Sequence, residues 1–286
     1  MRWKTGRRST NIEDRRGSRV SPRGFKLGGG TIILVLIGSL LFNQNPLELL
    51  GYLEGGAMIA DTPVEKKTSS PEEDAAADFI SVILADTEDT WSQIFAASNY
   101  QYQPPKLVLY SDMVHSACGM SSAATGPFYC PGDSKVYFDL SFIDELQRFG
   151  AHGDFSVAYV IAHEVAHHVQ NLEGTSDKIR QIQMRSNKKD ANALSVLVEL
   201  QADCYAGVWA YHAHKQRNIL EQGDIEEGLN AAASVGDDRM LRMAGRSVNP
   251  DAFTHGSSEQ RAEWFRKGLK TGMVKSCDTF SQAGLK

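Results

Sequence analysis

The sequence predicts one α+β domain of about 210 residues carried behind an N-terminal apolar segment. Three observations predict it. Between Asp74 and Ala97 the apolar residues Phe79, Ile80, Ile83, Leu84, Trp91 and Ile94 recur at helical spacing, the pattern of a core-facing stripe. A small set of strands follows: Lys106–Ser111 reads as one, and Phe128–Cys130, a Pro131–Ser134 turn and Lys135–Leu140 read as a hairpin. Last come two stretches rich in Ala, Val and Leu, Asp154–Ala162 and Asp190–Val198. Both read as helices, and each leads into polar residues that carry chemistry.

The N-terminal part is organised by charge. Residues 1–26 hold nine Lys or Arg against Glu13 and Asp14, and read as a basic cytoplasmic tail. From Phe25 to Phe42 the only charge is Lys26; this run of about 18 residues is at the short limit for crossing a bilayer core. A basic flank keeps the N-terminus cytoplasmic and sends the remainder across. No small-x-small cleavage site follows closely, so residues 27–42 read as an uncleaved transmembrane anchor. Residues 43–72, punctuated by Pro46, Gly51, Gly55, Gly56, Pro63 and Pro71, read as a linker, and 73–286 as the domain. The formal charge of −5 hides the asymmetry: the first 26 residues carry +7, leaving −12 for the rest. A basic stem on an acidic body argues for attraction to a membrane surface and against nucleic acid as a partner.

The chemistry lies in His163-Glu164-Val165-Ala166-His167 and in Glu199-Leu200-Gln201-Ala202-Asp203. Residues i and i+4 share a helix face, so His163 and His167 can direct two imidazoles at one metal ion. Zinc takes imidazole nitrogens and a carboxylate and, in catalytic sites, leaves a fourth position open, which makes Glu199 the natural third ligand. Glu164, beside the first ligand, is placed to take a proton from a water activated at the ion. A carboxylate within an Ala/Leu/Val-rich helix is costly without a partner, and metal ligation removes that objection for Glu199. The set reads as a zinc hydrolase.

With His255-Gly256-Ser257-Ser258-Glu259-Gln260-Arg261 added, these segments resemble the predicted neutral zinc metallopeptidases of bacteria, membrane-associated members of the wider zincin group. The resemblance covers almost the whole chain, the basic N-terminus included. It implies a zincin-like fold, peptide or protein substrates, Zn2+ held by His163, His167 and Glu199, and a single-pass location in the bacterial inner membrane with the domain periplasmic or extracellular. It also implies that Asp203 orients a ligating histidine from behind, as a ligating imidazole usually donates its other N–H to a carboxylate or carbonyl. No third histidine stands at metzincin spacing and no methionine turn is visible, which excludes that subgroup.

Other residues carry weaker signals. Cys118, Cys130, Cys204 and Cys277 contain no CxxC, and an even count in a translocated domain favours disulfides. Three pairings exist; Cys118–Cys130 with Cys204–Cys277 is the expected one, the second bracing the segment that carries Asp203. A hydrolysed peptide passes through an oxyanion that needs a donor besides zinc, and His255, Arg261 and Tyr205 are the candidates. His255 precedes a helix that Ser257 or Ser258 could cap. His168 should point about 100° away from His167 on its helix and is not expected to ligate. The competing reading is a zinc-stabilised, non-catalytic interaction module on the membrane. Glu164 argues against it, since a purely structural site needs no carboxylate there, and structural sites tend to use four protein ligands where only three are evident.

Overall fold

The computed structural model describes residues 1–17, 69–122 and 125–282. They form an α+β domain in which a small sheet and a layer of helices enclose one main core. Strands β1 (Ile12–Asp14), β2 (Lys106–Tyr110), β5 (Phe128–Cys130) and β6 (Lys135–Asp139) make a sheet in the order β1-β2-β6-β5. The β1–β2 and β2–β6 pairs are parallel, and β5 runs antiparallel to β6 at the edge. A separate antiparallel pair, β3 (Met113–Ser116) and β4 (Gly119–Ser122), stands beside it, joined to β5 by the Cys118–Cys130 disulfide.

The first helix, α1 (Pro71–Ala97), begins three residues before the periodicity predicts. Ser70 caps it: its side chain accepts from the Glu73 N–H while the Glu73 carboxylate accepts from the Ser70 N–H, and Pro71 occupies the first turn, where a missing N–H costs nothing. After the sheet come α2 (Phe142–Arg148) and the helix that organises the domain, α3 (Asp154–Leu172), buried almost along its whole length. Gly153 offers no capping side chain, so Glu227 reaches across and accepts from the Phe155 N–H at 3.1 Å. The helices α4 (Thr175–Gln183), α5 (Lys188–Arg217), α6 (Asp224–Ser234), α7 (Asp237–Met243), α8 (Ser258–Thr271) and α9 (Thr279–Gln282) complete it. Phe155, Trp209 and Phe265, from α3, α5 and α8, meet in the core.

Helices α5 and α8 approach to backbone contact through Gly207 and Gly268. A Cβ on Gly268 would lie 1.9 Å from the Cys204 carbonyl oxygen, and one on Gly207 would lie 2.1 Å from that of Phe265. The Cys204–Cys277 disulfide ties the same stretch of α5 to the turn after α8.

The largest departure from the sequence reading concerns the N-terminus. Residues 1–16 belong to the domain and are not a separate tail. β1 pairs with β2, the Arg2 N–H donates to the Ile219 carbonyl, and Trp3 packs edge-on against Phe79 at 5.1 Å. The arginines that read as a topology signal are matched by acids inside the fold. Arg7 pairs with Glu88 and Asp89, Arg8 with Asp78 and Arg16 with Asp74. Lys135 and Arg15 hold the Glu13 carboxyl down at about 2 against its partial burial. Half-exposed pairs of this kind stabilise little one by one, but they fix the register of a short edge strand. The expected anchor at 27–42 and most of the 43–72 linker lie outside the described residues. Among the described residues no helix is long and apolar enough to cross a membrane.

Arg16 reaches back to Glu73 and Asp74, so residues 16 and 73 are neighbours. The described residues on either side of 18–68 therefore meet in one folded body. Tags at the two ends are expected on the same side of any membrane: protease added to sealed vesicles should digest both or neither. Protection of one tag alone would show that β1 is undocked.

Candidate metal centre

His163 and His167 lie one turn apart on α3, and Glu199 comes from α5, which packs beside it. The structure brings the three together. Nε2 of His163 is 3.2 Å from Nε2 of His167 and 3.1 Å from Glu199 Oε2, and His167 Nε2 is 3.4 Å from Glu199 Oε1. Donors about 2.05 Å from a tetrahedral zinc stand about 3.3 Å apart, so this spacing fits the ion. The ring nitrogens that face away are each held by an acceptor. His163 Nδ1 is 2.9 Å from Asp203 Oδ1, and His167 Nδ1 is 2.9 Å from Gln170 Oε1. These contacts orient both rings so that Nε2 faces the common point, where metal ligation needs its lone pair.

The support behind the ligands is fully buried. Arg261 donates to both oxygens of Asp203, from Nε at 2.8 Å and from Nη2 at 2.9 Å, and the Tyr159 hydroxyl donates to Asp203 as well. Burial alone would raise the Asp203 carboxyl, but Arg261 and His163 more than offset it and keep it below its ordinary range. Burial likewise opposes the charge of Glu199, which the two histidines hold well down. On His163 burial works against a proton, yet Asp203 and Glu199 prevail and push the imidazole up to about 9. Metal uptake must displace that proton, so it weakens as pH falls. Asp203→Asn is expected to lower zinc affinity about 10–100-fold, read by competition with a chromogenic chelator. An unchanged affinity would remove Asp203 from the account.

Gln170 and Tyr159 are the residues that sequence reasoning passed over. Gln170 holds the His167 ring with its carbonyl while its amide donates to the Val198 carbonyl and to Gln201, joining α3 to α5 just before Glu199. Its signal was a polar residue three after a ligand; that of Tyr159 was a hydroxyl four before one. Of the three oxyanion candidates, Tyr205 is buried away from the cleft with its hydroxyl on Glu173, and Arg261 serves Asp203. His255 remains at the cleft wall, half-exposed, with Nδ1 3.2 Å from Asp237, whose other oxygen accepts the N–H groups of Thr254, His255 and Gly256. The Asp237 hydrogen bond raises the His255 imidazole above its ordinary value.

His168 is not a ligand. Its Nε2 meets the Gln103 carbonyl at 2.6 Å and its Nδ1 meets the Tyr129 hydroxyl at 3.0 Å, which latches edge strand β5 to α3. A second group at metal-ligand spacing, Asp154, Asp224 and Glu227, is engaged otherwise: the Met1 ammonium sits 3.0 Å from Asp154 and 3.4 Å from Asp224.

The triad opens into a cleft of about 760 Å³. Glu164 lines it, and among the described residues no hydrogen bond or ion pair engages its carboxylate. Phe128 and Tyr129 of the edge strand line it too.

Comparison with known proteins agrees with this chemistry. Residues 1–280 match the family described as "Putative neutral zinc metallopeptidase". The chain belongs to this family. Among its relatives, "Uncharacterized protein YpfJ" of Escherichia coli (strain K12) is 47% identical over 295 residues, covering 99% of this chain and 100% of the relative. "Uncharacterized protein Rv2575" of Mycobacterium tuberculosis (strain H37Rv) is 45% identical over 195 residues, covering 64% of this chain and 65% of the relative. No solved structure matches. The match from residue 1 onward places the N-terminal strand inside the family's own sequence pattern.

Proposed function

We propose that this zinc metallopeptidase family member hydrolyses peptide bonds, with Glu164 as general base. The carrying observation is the joint arrangement: two imidazoles with fixed orientations and one carboxylate converging at the floor of a cleft, and an unengaged glutamate beside them. A structural zinc site is closed by four protein ligands, whereas three ligands facing a cleft leave a position for reacting groups. A zinc ion held there would supply Lewis-acid polarisation of a carbonyl and would acidify a neighbouring water.

The chain's own residues divide the remaining work. Glu164 accepts the proton of the attacking water and delivers it to the departing amine. His255, whose charged form the Asp237 hydrogen bond favours, donates to the oxygen that gains negative charge. Arg261 and Tyr159 hold Asp203, and Asp203 with Gln170 holds the ligating rings. β5 is an edge strand of its sheet and lines the cleft, where an extended peptide can add as a further strand. The order of elements, a small sheet, an active-site helix and then a glutamate-bearing helix, supports the zincin-like reading of the fold.

The two disulfides favour an oxidising compartment, periplasm or cell exterior, with attachment to the membrane through the 27–42 run and residues 1–16 on the domain's own side. The test is hydrolysis of a denatured protein, its loss to a chelator and its return on adding one equivalent of zinc. Hydrolysis that persists in the metal-free protein would refute the proposal.

A further inference from the structure

Away from the cleft, the β3–β4 ribbon carries another set of ligating side chains, and its register places them on one face. Side chains alternate across a strand, and burial along β3 alternates with them: Val114 and Ser116 are buried, Met113 and His115 exposed. In the antiparallel pair His115 stands opposite Met120, so these two side chains share the outer face, and Met113 lies diagonal to Met120 on it. Cβ atoms so placed are about 5 Å apart directly and about 7 Å apart diagonally. A thioether on three rotatable bonds spans such gaps, so two sulfurs and an imidazole nitrogen can meet above the ribbon. Met113 and Met120 are 47% and 64% exposed, and among the described residues no hydrogen bond or ion pair engages the His115 ring. None of the three lines the cleft.

The ribbon is a firm support. Val114 packs beneath it with Val108, Tyr110, Cys130 and Tyr137. At its turn the Ala117 N–H donates to Asp133 Oδ2 at 2.9 Å, the Cys118 N–H donates to Ser116 Oγ at 3.1 Å, and the Ser116 hydroxyl donates to the Gly119 carbonyl at 3.0 Å. The Cys118–Cys130 disulfide ties the same turn to β5. Ligands carried on such a frame have less freedom to lose on binding. The disulfide also removes Cys118 as a thiolate donor, which leaves the two thioethers as the sulfur ligands.

We infer that Met113, His115 and Met120 form a binding site for Cu(I). The donor set decides the ion. Thioethers are soft donors that select Cu(I), whereas Mg2+ and Ca2+ take oxygen ligands and Zn2+ takes thiolate, imidazole or carboxylate. Residues 113–122 contain no Asp, Glu, Lys or Arg, so the ribbon offers no carboxylate to a divalent ion and no cation to repel a monovalent one.

The test uses the full-length chain supplied with one equivalent of zinc, so that the His163 centre is filled first. Cu(I), kept reduced by ascorbate, is titrated against bicinchoninate as a chromogenic competitor. The wild type is expected to retain one Cu(I) per chain that excess Zn2+ does not displace. Met113→Leu and Met120→Leu keep an exposed apolar side chain and remove a sulfur. Each is expected to weaken Cu(I) binding by at least about 10–100-fold, the range that loss of even an outer partner costs, with zinc content and thermal unfolding unchanged. Methionine methyl resonances, followed on adding Ag(I) as a redox-inert stand-in, are expected to move at Met113 and Met120 and to stay in place at Met184, which is the more exposed at 74%. No retained Cu(I) in the wild type, equal retention by the double variant Met113→Leu/Met120→Leu, or displacement by Zn2+ would overturn the inference. Silver-induced shifts spread evenly over the exposed methionines would overturn it as well.

Discussion

His163→Ala is expected to abolish zinc binding and hydrolysis together, with some loss of stability in the metal-free fold because Glu199 keeps only one imidazole partner. The reason lies in what each side of the ring touches. On the cleft side, Nε2 is one of three convergent donors, and two donors no longer make the site; the loss should exceed the roughly 10–100-fold that removal of an outer partner costs. On the buried side, Asp203 still has Arg261 on both oxygens and the Tyr159 hydroxyl, so that carboxylate is not stranded. Thermal unfolding separates the two effects. A ligand that binds only the folded state at about 100 times its Kd adds about 2.7 kcal/mol. Zinc should therefore raise the Tm of the wild type by several degrees and leave that of His163→Ala where it was. A variant whose Tm still climbs with zinc would place the ion elsewhere.

Gly268→Ala carries the largest expected loss of stability. The new methyl group would stand against the Cys204 carbonyl, a backbone atom that cannot rotate away, and the same contact recurs from the other side at Gly207. Forced separation of α5 and α8 belongs at the upper end of overpacking costs, about 3 kcal/mol, or a fall in Tm of roughly 6–12 °C for a domain of this size. The consequence reaches the site, because α8 carries Arg261 and α5 carries Asp203 next to Cys204. Separation lengthens the Arg261–Asp203 pair, so zinc affinity should fall with stability in the same variant. A Tm within 2 °C of the wild type, measured by calorimetry, would show that the helices can part without cost.

The metal triad was legible because helix geometry turns sequence spacing into distance: four residues on one helix is one site, and an isolated acid in an apolar helix asks for a partner. Gln170 was not, since a glutamine three residues after a ligand has many ordinary uses, and only the position of Val198 on a second helix fixes its amide. The strands around Lys106, Phe128 and Lys135 were legible by their apolar content. β1 was not, because three residues in a stretch dense with arginine read as charge and not as a strand. What decides it is the set of acids on α1, from Asp74 to Asp89, which the sequence shows but does not pair. Burial, likewise, separates Tyr205 from the cleft, although its position six after Glu199 made it a reasonable candidate.

The central claim is that Glu164 performs chemistry and does not merely accompany a zinc site. The zinc-loaded wild type and Glu164→Gln should be incubated side by side with a mixture of denatured proteins, with bound zinc and newly formed peptide termini counted in both. One zinc per chain in each, with termini produced by the wild type and reduced about 10²–10⁴-fold or more in the variant, is the predicted result. Equal production of termini by the two proteins would contradict it.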